Sequence, residues 1–346
     1  MQTSRRQFLL AAALSTTLGA CRKAKKERVY VSVEEAGVIG VLDPERGEII
    51  DRISVGKRPR GIRLSHDQTL AYVALSGSPK GGPNVDESKL PPADRSADGI
   101  GVVSLAEHRL LRTFPSGQDP ECFDLDRDGK TLFISNEETA ELSQLELSSG
   151  KITRKVQVGG EPEGVTLRPD GKIVYVTSEA ESLVAAVDVA SLAVVGRIAT
   201  GLRPRAIAFS EEGDTAFVTN ELGSSLTVID AKRHVAVATL ELPVSGGAPP
   251  TRPMGIVLSP DGRRLFVSTG RGSTVVVIDV GARKAIATIE GVGTRPWGVG
   301  VSPDGKRLYT ANGPSNDVSI IDLSTNRVAR KVKLDGLPWG IAVGMA

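Results

Sequence analysis

Seven prolines in this chain are flanked by residues that could hold protons or bind anions. Directly after them stand Arg60, Glu121, Glu163, Arg205, Met254, Trp297 and Trp339. Directly before them stand Arg58, Asp119, Glu161, Arg203, Arg252, Arg295 and Leu337. A carboxylate can act as acid or base once burial raises its pKa. Arginine grouped with tryptophan makes a plausible binding mouth. The same residues could instead form rim ion pairs of little energetic weight.

Other chemistry finds less support. His66, His108 and His234 each fall in or beside a turn and are not clustered, so a histidine-held metal or haem is not expected. No Gly-x-Ser-x-Gly, phosphate loop or Cys-x-x-Cys-His is present, and no quinone-docking repeat. The sequence points to no catalytic set, no cofactor and no metal. Asp124, Asp126 and Asp128 spell Asp-x-Asp-x-Asp-Gly, the opening of a calcium loop. Its twelfth position is Ser135 rather than a bidentate Glu. Cys122 replaces a small residue after its proline and reads as filling a buried slot.

The elements that position these residues follow from the spacing of the prolines. Each is followed two residues later by a small residue, as in Pro162-Glu163-Gly164. The prolines lie 61, 42, 42, 49, 43 and 42 residues apart, a period near that of a propeller blade. Gly164 to Gly201 reads as four strands: Val165–Leu167, Ile173–Thr177, Leu183–Asp188 and Val194–Ala199. Arg168-Pro169-Asp170-Gly171 supplies the first turn. The last repeat holds one strand, Trp339 to Val343. The chain opens with Val29–Ser32, Val38–Asp43 and Ile49–Ser54, which match the other three. Joining them completes a seventh blade and removes the open edge. Residues 28–346 are therefore an all-β, seven-bladed β-propeller of four-stranded blades, numbered here from Pro59.

In such a ring the loops between strands D and A and between B and C emerge on one rim. That sorts the proline-flanking residues to one face, together with Glu34, Glu137, Glu179 and Glu221. Two insertions, Gly77–Gly99 and Val244–Thr251, fall on the same face, as long functional loops on rigid scaffolds often do. The histidines fall on the other. The candidate rim is Arg58, Arg60, Glu121, Glu163, Arg203, Arg205, Arg252, Arg295, Trp297 and Trp339, with blades 2 and 3 acidic and blade 4 basic.

The first 27 residues read as an address. Ser4-Arg5-Arg6-Gln7-Phe8-Leu9 resembles a twin-arginine export signal, and Leu18-Gly19-Ala20-Cys21 resembles a lipobox. The expected organisation is a signal peptide over 1–20, a lipidated basic linker over 21–27 with the acyl group on Cys21, and the propeller over 28–346. This implies an exported, membrane-anchored lipoprotein. With Arg5 and Arg6 set aside, 41 basic residues face 41 acidic ones, so no overall field favours nucleic acid. A monomer is expected.

Tyr175-Val176-Thr177, Phe217-Val218-Thr219-Asn220 and Tyr309-Thr310-Ala311-Asn312 resemble the repeats of the YVTN β-propeller family. Asp119-Pro120-Glu121, Glu161-Pro162-Glu163-Gly164 and Leu337-Pro338-Trp339-Gly340 are similar to its subgroup associated with pyrroloquinoline-quinone-dependent alcohol catabolism. That resemblance implies a periplasmic accessory role. The expected function is thus non-catalytic, the rim binding a redox protein such as a quinoprotein dehydrogenase, or a small ligand. The alternative is a lactonase- or lyase-like enzyme using Glu121, Glu163 and Glu179 at the channel mouth.

Overall fold

The computed structural model describes residues 25–81, 86–243 and 250–346. The export signal, Cys21 and most of the Val244–Thr251 insertion lie outside the described residues. Seven four-stranded antiparallel sheets form the molecule. Blade 3 runs Pro162–Leu167, Ile173–Ser178, Leu183–Asp188 and Ala193–Ala199 from the channel outward. Its strand order and boundaries match the sequence reading to within about three residues.

Blade 7 is the split one. Pro338–Met345 pairs antiparallel with Glu27–Val33, Val29 opposite Val343 and Val31 opposite Ile341. Val38–Asp43 and Glu48–Ser54 complete the sheet. Lys26 N–H donates to Ala346 O at 2.6 Å, and Ala346 N–H donates back to Lys26 O at 2.8 Å. Glu27 extends the closure into blade 6: it accepts from Arg307 Nη2 at 2.8 Å and from the Tyr309 hydroxyl.

The core lies between the sheets. Middle strands such as Ile173–Ser178 are buried on both faces, so they read as continuous apolar runs. Outer strands such as Lys151–Gln157 alternate exposed and half-buried, because only one face meets a neighbour. Tyr175, Val184, Ile207 and Val218 share one inter-blade cluster, and Val29, Leu42, Tyr309 and Val318 another.

Hydroxyls tie the blades together near the mouth. Thr177 accepts from Gly164 N–H at 2.8 Å within its own blade and donates to Arg205 O in the next at 3.2 Å. Ser135 does the same for Cys122 N–H and Glu163 O, Thr219 for Ala206 N–H and Met254 O, and Ser268 for Gly255 N–H and Trp297 O. Ser32 links Gly340 N–H to Arg60 O across the closure. The carbonyl contacted always belongs to the residue after the proline, which sets the height of that residue in the ring. The small residue follows from the same contact. A Cβ on Gly164 would stand 2.2 Å from Arg205 O, and one on Gly298 2.4 Å from Trp339 O.

Blades 1 and 6 carry Ala74 and Ala311 where the other five carry Ser or Thr. The seam between blades 1 and 2 is locked from the insertion instead. Asp98 accepts from Gly77 N–H at 2.7 Å and Asp119 N–H at 3.2 Å, and Ser76 donates to Asp119. Lys57–Asp94 at 2.6 Å, Lys80–Glu35 at 3.2 Å and Arg95–Glu138 at 3.0 Å pin the loop to blades 1, 7 and 2. The described part of this insertion is a fixed wall of the mouth.

Candidate functional site at the channel mouth

The residue before each of the seven prolines has positive φ, between 41° and 63°. That conformation is costly for a residue with a Cβ. Its recurrence in every blade makes it a property of the chain reversal from outer to inner strand. The two side chains flanking each proline thereby reach the same rim.

The structure gathers six of the ten candidate rim residues into two arginine-centred clusters. In one, Arg58 and Arg60 of blade 1 meet Glu34 of blade 7 at 3.0 and 3.6 Å; Arg60 also contacts Glu121 and lies 3.7 Å from Glu137 in blade 2. In the other, Arg203 and Arg205 of blade 4 meet Glu163 and Glu179 of blade 3. Arg203 lies 2.6 Å from Glu179 and 3.5 Å from Glu221; Arg205 lies 3.3 Å from Glu163, contacts Glu179 and lies 3.8 Å from Glu221. Both clusters reuse one device: a Glu opening a B–C turn pairs with the arginine 24 residues later. The charges of the acidic and basic blades do not stand apart as a segregated rim. These charges interlock across seams, because the B–C turn of one blade abuts the D–A loop of the next.

The clusters are not electrically balanced. Arg203 and Arg205 face three carboxylates. One positive deficit in a buried setting is relieved by keeping a proton. Glu163 is 8% exposed, and its carboxyl is pushed up to about 7. Burial is the largest cause; Glu179 and Glu137 add to it, against the pull of Arg205. Arg205 shifts upward: its carboxylates outweigh the cost of burying it. The excess of carboxylates adds to burial at Glu163 and works against it at Arg205.

Glu163 and Arg205 both line a cavity of about 140 Å³ that runs between the inner strands of all seven blades. Cys122, Trp297 and Trp339 line it too. Burial and the nearby Glu163 push the Cys122 thiol up to about 12, so it is inert at neutral pH. That agrees with its reading as a small-residue replacement. Glu121 is 2% exposed and is not among the cavity-lining residues.

The remaining candidates behave differently. Among the described residues, Arg252 and Arg295 have no carboxylate within 4 Å. Arg295 stacks over Trp297 at 5.3 Å, and Trp297 in turn lies under Gly313, where a Cβ would meet the indole at 2.7 Å.

Metal-binding geometry appears in one place among the described residues: Asp119, Glu121 and Glu137 bring oxygens within 4.8 Å of one another. Arg60 contacts Glu121 and Glu137 there, so a guanidinium already occupies the place a cation would take. Two aspartates of the calcium-like run serve separate partners. Asp126 accepts from Lys130 and Thr131 N–H in its own turn, and Asp124 from Leu167 N–H of blade 3 at 2.8 Å. The histidines lie on the far rim. His66 bonds to Asp126 O at 2.8 Å, His234 to the Tyr175 hydroxyl at 2.7 Å, and His108 to Asp51.

Two family models match parts of the chain. Residues 191–334 match the model described as lactonase, seven-bladed β-propeller, and residues 85–171 match a YNCE-like β-propeller model. No curated protein matches the sequence. Among solved structures, the periplasmic gluconolactonase of Pseudomonas aeruginosa is 20% identical, with a TM-score of 0.75 over 92% of this chain and 99% of that one. A candidate 6-phosphogluconolactonase of Bacteroides fragilis is 17% identical, with a TM-score of 0.74 over 92% of this chain and 98% of that one. Hydrazine synthase of Kuenenia stuttgartiensis, at 18% identity and a TM-score of 0.68, covers 83% of this chain and 95% of that one. Identities this low speak to fold. The lactonase family match over residues 191–334 overturns the non-catalytic accessory reading. That reading leaned on the charge pattern of the rim, the two insertions on one face and the lack of a catalytic set, whereas a buried carboxyl beside arginine needs no histidine, serine or metal. By architecture the chain is a seven-bladed β-propeller, and both family matches are to propeller models.

Proposed function

We propose that the protein is a propeller lactonase whose reacting centre is Glu163 with Arg205 at the channel mouth. One observation carries this reading: a buried carboxyl with its pKa near 7 faces the cavity in contact with a guanidinium. In this reading ionised Glu163 takes a proton from water as the water oxygen bonds to the lactone carbonyl carbon. Arg205 donates to the oxygen that gains negative charge. Collapse breaks the ring carbon–oxygen bond, and Glu163 returns the proton to the departing oxygen, giving a hydroxy acid. Burial keeps the carboxylate basic enough for the first step and acidic enough for the last.

The test is hydrolysis of a lactone panel. Turnover is expected in the parent, rising with pH through about 7 as Glu163 ionises. Glu163→Gln should lower kcat by about 10²-fold or more. Unchanged turnover in that variant would remove Glu163 from the reaction. Export and a lipid tether at Cys21 belong to the same proposal. Labelled palmitate should enter the parent and not Cys21→Ser.

A further inference from the structure

Six arginines of the mouth flank the prolines, and four are matched by carboxylates. Arg252 and Arg295, on the arc of blades 5 and 6, are not matched among the described residues. The Nε of Arg252 is buried with no hydrogen-bond partner. Arg295 is held by its surroundings: its stem passes 3.6 Å from where a Cβ on Gly270 would be, and its guanidinium lies over the Trp297 ring. The carboxylate whose charge acts on it is Glu221, already engaged with Arg203 and Arg205. Arg271, Arg203 and Arg205 add like charge around it, and burial draws its pKa down. Two guanidiniums with no carboxylate within 4 Å among the described residues, one with an unsatisfied buried donor, describe a site that lacks an anion. Trp297 joins this arc to the cavity that Glu163 and Arg205 also line.

We propose that Arg252 and Arg295, the latter braced on Trp297, form an anion-binding subsite at the mouth for a carboxylate or phosphate group. Its use to seat a negatively charged substituent of a lactone rests on the lactonase reading; its affinity for the anion does not. Arginine suits either group, because its planar fork matches two oxygens at once. The indole beneath Arg295 fixes the fork without neutralising it.

The experiment has two arms. In the first, calorimetry measures inorganic phosphate and succinate binding to the parent, Arg252→Ala, Arg295→Ala and Arg295→Lys at low ionic strength. A far-rim control is Arg46→Ala, whose partner Glu48 lies at the opposite face. Saturable binding is expected, weakened about tenfold or more in each alanine variant, partly kept in Arg295→Lys and unchanged in Arg46→Ala. No binding to the folded parent, or equal binding by all variants, overturns the proposal. Succinate bound without phosphate, or the reverse, identifies which group the subsite takes. In the second arm, KM is compared for a neutral aldonolactone and for charged ones. The alanine variants should raise KM for the charged substrates alone. Phosphate or succinate binding that the variants abolish, with no turnover of any lactone, would keep the subsite and sink the lactonase reading.

Discussion

Replacing Glu163 by Gln isolates the cost of charging a buried carboxyl. The amide keeps the size of the side chain and leaves the backbone bond to Ser135 in place, but it cannot titrate. In the parent the folded-state pKa is about 7, against 4.5 for the ordinary group. Between those values the folded state holds more protons than the unfolded one. Stability from this group is therefore full below 4.5 and lost as pH rises through about 7. At roughly 1.4 kcal/mol per pH unit, the loss approaches about 3 kcal/mol by pH 8. With a urea slope of about 3 kcal/mol/M, that is a midpoint shift of about 1 M. Urea unfolding at pH 5 and pH 8 reads it directly. The parent should lose stability over this interval, and Glu163→Gln should lose less by about that amount. The same pH slope in both proteins would refute the account of the cluster, whatever the activity.

Other seams make further predictions. Gly164→Ala places a Cβ 2.2 Å from Arg205 O, and overpacking there should cost about 1–3 kcal/mol and shift Arg205 away from Glu163; melting temperature and lactone turnover should fall together. Ser135→Ala deletes a hydroxyl that bonds Cys122 O and Glu163 O, which should lower stability by about 1–2 kcal/mol in chemical denaturation. Truncation after Gly336 removes the inner strand of blade 7 and exposes both blade 7 and its neighbours. Its cost should reach the scale of the whole folding free energy, ~5–15 kcal/mol, seen as loss of the cooperative melt.

The ring was legible because its signals are local. Proline, a small residue two positions on and a turn before strand B repeat within each 42-residue unit. The single strand of the last unit is matched by three unpaired ones at the start. The faces followed from the strand order, and the histidines fall on the far rim as read. What no local pattern reveals is which charges meet. Glu34 with Arg58 and Glu179 with Arg203 share a spacing of 24 residues, a signal available in the sequence but meaningful only once neighbouring blades touch. Likewise, Glu163 and Glu121 occupy equivalent positions after their prolines. Only three-dimensional packing gives Glu163 the cavity and leaves Glu121 against Arg60. The hydroxyl ties explain a further residue choice: Ser or Thr near the end of strand B answers a carbonyl in another repeat.

The closure at Lys26 and Ala346 has a practical side. Both ends of the described chain leave side by side on the face away from the mouth. Anything fastened to either end, whether bead, fusion partner or surface, holds the molecule from behind and leaves the cavity open to the medium. The ring could also be recut: a short linker would join these ends, and new ones could be opened in another blade. Closure would then be carried by a different sheet, with Glu163 and Arg205 of blades 3 and 4 undisturbed.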